Sequence, residues 1–469
     1  MQKIFNDCYA LDTRCYEKFD LSEEILMEHA AMGLKRAVEE GAEAGSKVLI
    51  VAGPGNNGAD GIALARLLHG DYDVSLHLPY GAKSPMAKLQ LRRLQQLGTD
   101  AVHSLPAQAD VVVDALFGAG LSKALDIKGI EIVDTLNGMG GYKIACDIPS
   151  GIDSDGNPNP IAFHADLTVT MGALKKGLFG DFAKQCVGRI EVADLGVSRK
   201  LYEHHTDLFM LEKRDFNPPL RTNPSSHKGD YGHLCVVAGK KRGAAILCGS
   251  AALRFGTGLV TLMSDHTIEN IPHSLMVSGE LPESTTAVAM GMGLGREYDP
   301  ILVKSTILKN DLPILLDADV CYAPWIRQLL NECSKTVLTP HPKEFAALLK
   351  TLGIDDVSVS QIQRDRFGWA RRFSETYPDT VLLLKGANTL IAHQGTIYVN
   401  PLGSAVLSQA GSGDLLSGLV AALLAQGYTP LNAAINGSLA LALAAARYEG
   451  ANYSATAEDL IGELRWLLP

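Results

Sequence analysis

From residue 48 to about 195 the chain alternates short apolar runs with segments whose apolar residues recur every three to four positions. The runs KVLIVAG, DVSLHLPY, ADVVVDALFG, KIACDIPSG and ADLTVTMG are short and rich in β-branched residues, which predicts strands. Amphipathic segments such as Ala63–His69 and Met86–Leu97 lie between them and predict helices. This alternation predicts a parallel sheet with helices on both faces. Residues 10–44 read as wholly helical and are expected to pack outside that sheet. A second series begins at HLCVVAGK and continues through GLVTLMS, AVAMGMGLG, PILLDAD, TVLTPHP, TVLLLKG and TLIAHQGTIYVN, closing on apolar helices. Between the two series, EKRDFNPPLRTNPSSHKGDYG is polar and aperiodic, as a linker or exposed entry segment would be. The expected division is a first domain at 1–212, a linker at 213–225 and a second domain at 226–469.

A chain of 469 residues is too long for one core, in agreement with two domains. With 46% apolar and 20% charged residues it has the composition of a soluble globular protein. A formal net charge of −10 with no compensating basic block argues against a nucleic-acid partner. The eight cysteines form no C-x-x-C, and several sit inside apolar runs, the pattern of reduced thiols in a cytoplasmic protein. The N-terminus has acids early and no apolar core of a signal peptide. The most apolar stretches, near 414–426 and 438–447, are short and interrupted, which predicts buried helices and no membrane partner. A small-molecule enzyme is expected, and the chain is expected to form a homo-oligomer.

Gly53-Pro54-Gly55-Asn56-Asn57-Gly58 satisfies G-x-G-x-x-G, yet the acid expected at the end of the second strand is missing, because Asp71 precedes that strand and Asp73 stands at its start. The loop also carries Asn57 and Asp60 where a pyrophosphate would meet only N–H groups. Amide, carboxylate and hydroxyl oxygens are hard ligands, so Asn57, Asp114 and Ser150 are suited to holding a hard cation together. Four segments follow strands: Asn56–Asp60, Asp114–Gly120, Asp147–Gly151 and Met171–Gly177. Ligands of open α/β sheets bind beyond the carboxyl ends of strands, so one pocket is expected there. At any single segment, a role confined to turns and helix caps remains open.

In the second domain, Gln409-Ala410-Gly411-Ser412-Gly413-Asp414 opens directly into an apolar helix. Several unpaired N–H groups would face outward there, forming an anion hole for a phosphoryl group. Asp414 at its edge is placed to accept a proton from a hydroxyl beside that phosphate, although a helix cap would use the same residue.

GPGNNGADG, VVDALFGAGL, CDIPSGID and LMEHAAMG together resemble the NAD(P)H-hydrate epimerases over about residues 10–210. The resemblance implies a Rossmann-like three-layer α/β/α sandwich. Asn56, Asn57, Gly58, Ala59 and Asp60 would touch the hydrated dinucleotide, and Gly118, Ala119, Gly120, Leu121, Ser122, Lys123 and Ala124 would contact its phosphates. It further implies a potassium ion on Asn57, Asp114 and Ser150, with Asp147 facing the reacting ring. Ala59 departs from the family's usual glycine. Epimerisation at a hemiaminal carbon needs a group that both accepts and returns a proton; Asp147 is assigned that role, with Asp60 as the alternative.

The Gly-Ser-Gly-Asp turn (usually G-T-G-D) is similar to the anion hole of ribokinase-like kinases. With HKGDYG, MGMGLG and TPHPKE it resembles the NAD(P)H-hydrate dehydratases over about 225–465. The resemblance implies a ribokinase-like α/β domain in which Lys385, Gly386, Ala387, Asn388, Thr389 and Gly413 bind ADP or ATP with Mg2+. Ala244, Gly293, His341 and Asp414 would bind the hydrated substrate, and Asp414 would be catalytic. A lone histidine such as His341 is as often structural. The competing expectation is a ribokinase-like vitamin-precursor kinase with an accessory, non-catalytic first domain.

Overall fold

The computed structural model describes every residue except Ser122, and all side chains except those of Ser122, Ile301 and Leu302. The chain forms two compact units, Gln2–Thr206 and Asp207–Pro469, with Met1 counted in the second.

In the first unit, β1 (Gln2–Phe5) pairs in parallel with the two-residue strand β7 (Leu174–Lys175). The main sheet contains β2 (Lys47–Ala52), β3 (Asp73–His77), β4 (Val111–Ala115), β5 (Tyr142–Cys146), β6 (Leu167–Met171) and β8 (Arg189–Ala193). Their order is β3-β2-β4-β5-β6-β8, and every pairing is parallel. Side chains alternate across a strand, and β2 shows the consequence. Val48, Ile50 and Ala52 join one core with Leu26, Leu34, Ile62 and Leu68. Leu49 and Val51 join the opposite core with Ile132, Val133 and Leu136. Three α/β/α layers result.

The preamble is not one helix. Helices Tyr9–Phe19 and Glu23–Gly41 are separated by Asp20 in a left-handed conformation, and the Ser22 side chain caps the second by accepting from the Ile25 N–H. The amphipathic helices begin earlier than their apolar stripes suggest, at Asn56–Leu68 and Pro85–Gln96. The sequence reading also missed β8, whose exposed and half-buried residues carry no continuous apolar run.

The second unit contains β9 (Leu208–Met210), β10 (His233–Val237), β11 (Leu259–Met263), β12 (Met276–Ser278), β13 (Ala287–Met290), β14 (Ile314–Leu316), β15 (Thr336–Leu338), β16 (Thr380–Leu384), β17 (Thr389–His393) and β18 (Thr396–Asn400). Within this unit they lie in the order β12-β11-β10-β13-β14-β15-β16-β17-β18-β9. Strands β12 through β16 of that order are parallel, and the hairpin β16-β17-β18 reverses direction. Helices Arg242–Arg254, Ser412–Ala425 and Pro430–Arg447 share one core with Leu234, Val236, Ala287 and Ala289.

This unit starts at Asp207, ahead of the expected linker. Strand β9 pairs with β18, and Leu211 and Phe216 enter the second core, so apolar burial draws the first part of 207–225 into the fold. No helix among the described residues is long and apolar enough to cross a membrane. All eight cysteines are buried and unpaired.

Candidate functional sites

The first site lies beyond the carboxyl ends of β2, β4, β5 and β6. The chain passes from β2 through Gly53–Gly55 into helix Asn56–Leu68, whose N-terminal turn carries the asparagine loop. A Cβ on Gly58 would sit 1.9 Å from the Gly53 carbonyl oxygen, so only glycine permits this turn. Asn56 donates to Glu23 Oε1 (2.6 Å), and Ala59 is fully buried beneath the turn. The buried Asn57 Nδ2 finds no hydrogen-bond partner among the described residues.

Asp147 follows β5 with φ of 71°, a left-handed conformation uncommon for a residue other than glycine. Its Oδ1 accepts from the Met171 N–H (3.1 Å) and Thr170 Oγ1 (3.3 Å), and lies 2.5 Å from Lys175 Nζ. Its Oδ2 accepts from the Ala119 N–H (3.2 Å). A Cβ on Gly118 would fall 2.7 Å from Asn57 Oδ1 and 3.1 Å from Asp147 Oδ2. Three of the four strand-end segments therefore meet at one carboxylate, and Gly118 brings the asparagine loop to the same place. Lys123 and Ala124 are exposed and join no such contact, and Ser122 lies outside the described residues.

Two carboxyls flank this centre in opposite electrostatic states. Burial would raise the Asp147 carboxyl, but the Lys175 ammonium and its hydrogen bonds outweigh burial and hold it below the usual carboxylate range. Burial pushes Asp60 well above that range; the charges of Asp147 and Asp12 add to the rise, against Lys175.

Asp114, fully buried on β4, accepts from Ser150 Oγ (2.7 Å), the Ser150 N–H (2.7 Å) and the Leu116 N–H (3.1 Å). Burial lifts it to about 6 against those hydrogen bonds. The Ser150 hydroxyl oxygen also accepts from the Phe117 N–H at 2.8 Å. Asp114 and Ser150 thus form a buried pair of hard oxygen donors. Among the described residues no group of three or more His, Cys, Asp or Glu side chains is arranged to hold a metal ion.

The second site lies beyond β13, β14, β15 and β16. Gly411, at φ of 91°, leads into helix Ser412–Ala425, whose first N–H groups are left open. The Ser412 hydroxyl donates to the Gln409 carbonyl (3.1 Å) and so tightens the turn. Burial raises Asp414 to about 6, helped by Asp317 and Glu344 and opposed by Lys385.

Lys385 extends from the end of β16 to this helix start. Its Nζ is 2.8 Å from Asp317 Oδ1 and 3.8 Å from Glu344 Oε2, and a Cβ on Gly413 would lie 3.5 Å away. Gly386 and Ala387 lie in the following turn, Asn388 is buried and Thr389 opens β17. His341 caps helix Pro342–Leu352: its Nδ1 accepts from the Lys343 and Glu344 N–H groups, and Glu344 Oε2 accepts from the His341 N–H (2.9 Å). Its side chain is nonetheless 46% exposed, leaving an edge open to solvent. Ala244 and Gly293 come together, with a Cβ on Gly293 3.3 Å from that of Ala244.

Sequence reasoning missed Lys175 and Asp317 as members of these sites. Both stand in segments it singled out, Met171–Gly177 and PILLDAD, but nothing local distinguishes a site lysine or acid from a solvated one.

Fold and sites together define a two-domain α/β enzyme, with a buried carboxylate centre in one unit and an amide-lined anion cradle in the other. The model of the YjeF-related protein N-terminus matches residues 23–177, and that of the NAD(P)H-hydrate dehydratases matches 234–465. The bifunctional NAD(P)H-hydrate repair enzyme Nnr of Helicobacter pylori is 43% identical, covering 100% of both chains. That of Coxiella burnetii is 33% identical over 90% of each. A solved ADP/ATP-dependent NAD(P)H-hydrate dehydratase from Bacillus subtilis is 27% identical, covering 54% of this chain and 93% of that one at a TM-score of 0.45. The chain belongs to the family of bifunctional NAD(P)H-hydrate repair enzymes.

Proposed function

We propose that the protein repairs hydrated NADH and NADPH in the cytoplasm. The first unit interconverts the R and S hydrates, and the second dehydrates the S form at the expense of ADP or ATP. The observation that carries this reading is that one chain holds both an ionised carboxylate among strand ends and an open helix N-terminus edged by an acid.

In the first unit, Asn56–Asp60 and Gly118–Ala124 bind the dinucleotide. Asp147 stays ionised beside Lys175 and accepts the 6-hydroxyl proton as the hemiaminal C–N bond opens, returning it when the ring recloses on the other face; Asp60, its carboxyl raised by burial, is the alternative carrier. The pair matches a rule of acid–base sites, in which environments push two carboxyls apart. Potassium would be held by Asn57, Asp114 and Ser150, where its charge balances the buried acid.

In the second unit, Lys385–Thr389 and Gly413 bind the nucleotide, which carries Mg2+ as its counter-ion, and Ala244, Gly293, His341 and Asp414 bind the hydrate. Asp414 removes the proton of the 6-hydroxyl as that oxygen attacks the terminal phosphoryl group. The open N–H groups at Ser412–Asp414 stabilise the charge moving onto the phosphoryl oxygens. The phosphate then leaves with the C–O bonding pair as the ring-nitrogen lone pair forms an iminium at C6, and loss of the C5 proton to water restores the dihydronicotinamide. Hydroxide alone would be a far poorer leaving group.

The test is recovery of dihydronicotinamide absorbance from a mixed R/S hydrate of NADH with Mg2+ and ADP or ATP. Complete recovery supports both activities. Recovery of only the S fraction removes the epimerase, and no recovery, or accumulation of a phosphorylated product, defeats the reading.

A further inference from the structure

We propose that Asp317 is a positioning residue of the second site, fixing the Lys385 ammonium over the open amides at the start of helix Ser412–Ala425. The proposal rests on the dehydratase reading of this unit.

Asp317 is 2% exposed at the end of β14, and each carboxylate oxygen has a defined partner. Oδ1 accepts from the Ala318 N–H (2.8 Å) and from Lys385 Nζ (2.8 Å). Oδ2 accepts from Ser417 Oγ (2.8 Å), a fully buried hydroxyl one turn beyond Asp414 on the same helix. The carboxylate thus ties together the end of β14, the end of β16 and the helix carrying the cradle. Its backbone is equally confined, since a Cβ on Gly291 would meet the Asp317 carbonyl oxygen at 1.8 Å. The lysine is braced from the other side: the Arg366 guanidinium donates to the Leu384 and Lys385 carbonyls at 3.1 Å each.

A lysine side chain has four rotatable bonds and a freely turning ammonium, so it does not aim itself. Without Asp317, the anionic partner left to Lys385 is Glu344, at 3.8 Å, on a different helix. The ammonium would turn toward Glu344 and away from Gly413. A charge that is already oriented when the phosphoryl group moves stabilises the transition state without reorganisation, which is why loss of orientation falls on kcat. Asp317 also faces Asp414, whose other charged or titratable neighbours are Lys385, Glu344 and, on helix Arg242–Arg254, Cys248. Removing its charge eases the ionisation of Asp414.

The test uses the full chain with the S hydrate of NADH, Mg2+ and ADP or ATP, measured across a pH series. For Asp317→Asn, kcat should fall roughly tenfold or more, with KM for the hydrate little changed. The acid limb of kcat/KM should move to lower pH. Ser417→Ala, which keeps the charge but loosens the carboxylate, should lower kcat less and leave the limb in place. Unchanged kcat and limb in Asp317→Asn overturn the proposal, as does a fall in activity that only tracks lost folded protein with the limb fixed. Should that variant not fold, unchanged kcat in Ser417→Ala overturns it. Failure of the unmodified chain to restore dihydronicotinamide would defeat the functional reading instead.

Discussion

Lys175 Nζ and Asp147 Oδ1 lie 2.5 Å apart, both side chains almost fully buried, and the lysine is set there by the pairing of β7 with β1, which places Phe5 opposite it. The ammonium also donates to Thr170 Oγ1 (3.0 Å) and the Met171 carbonyl (2.9 Å), so its remaining protons are satisfied. Burial keeps water from the pair, and each charge holds the other ionised. Burial lowers the lysine, and Asp147 more than reverses it, raising the ammonium above its ordinary range.

Breaking this pair should unfold the first unit before it merely slows it. For Lys175→Met we expect a loss of about 3–5 kcal/mol, because one buried charge is left unpaired. The depressed Asp147 contributes stability present above the unfolded carboxylate value and lost as pH falls through the folded one. The raised Lys175 contributes stability present below the unfolded lysine value and lost as pH rises through the folded one. Protection of first-unit amides in hydrogen exchange should therefore plateau between the unfolded values, about 4 and 10.4, and decline outside them.

Asp147→Asn keeps the size of the side chain and removes the proton acceptor, but it also leaves the buried Lys175 ammonium without its anion, so the rate is read per folded enzyme. We expect epimerisation to slow by about 10²–10⁴-fold, with dehydration of pure S hydrate unchanged. The fraction of R hydrate left after long incubation measures it.

Dehydration should rise with pH through about 6 as Asp414 loses its proton. Asp414→Asn should abolish that limb and lower kcat by about 10²–10⁴-fold while ADP still binds. A limb that survives the substitution assigns the base elsewhere.

Gly413→Ala separates binding from folding. The added methyl would make only ordinary contact with Lys385 Nζ, at 3.5 Å, and alanine favours a helix over glycine by about 1 kcal/mol. Thermal stability should hold or rise, while calorimetric affinity for ADP falls, because the methyl projects into the cradle.

The potassium site proposed on Asn57, Asp114 and Ser150 predicts an ion effect on the first unit. Replacing it with tetramethylammonium should slow epimerisation and lower the melting temperature of that unit, and Asp114→Asn should remove both effects. Affinity for the ion should strengthen as pH rises through about 6, where buried Asp114 ionises.

Strands and anchor residues were legible for physical reasons that are local. Runs such as KVLIVAG and AVAMGMG can be buried on both faces only as central strands. Gly411–Asp414 declares an open helix start because glycine there adopts what other residues resist. The break at Asp20 was not legible, since an aspartate in a left-handed turn differs little in pattern from one in a helix. Strand β8 and the entry of 207–216 into the second unit depend on partners far along the chain.

Local pattern in the sequence was enough to fix the two alternating series and the loops that follow their strands, and to set Asp147, Asp60 and Asp414 at strand ends and helix starts, because periodicity, β-branching and glycine placement act within a few residues. Which charge stands beside which acid followed only from the folded chain. Lys385 meets Asp317 across 68 residues, and Lys175 is buried by a strand from the other end of its unit. Coulomb attraction depends on distance in space and on exclusion of water, and neither is written in the order of residues.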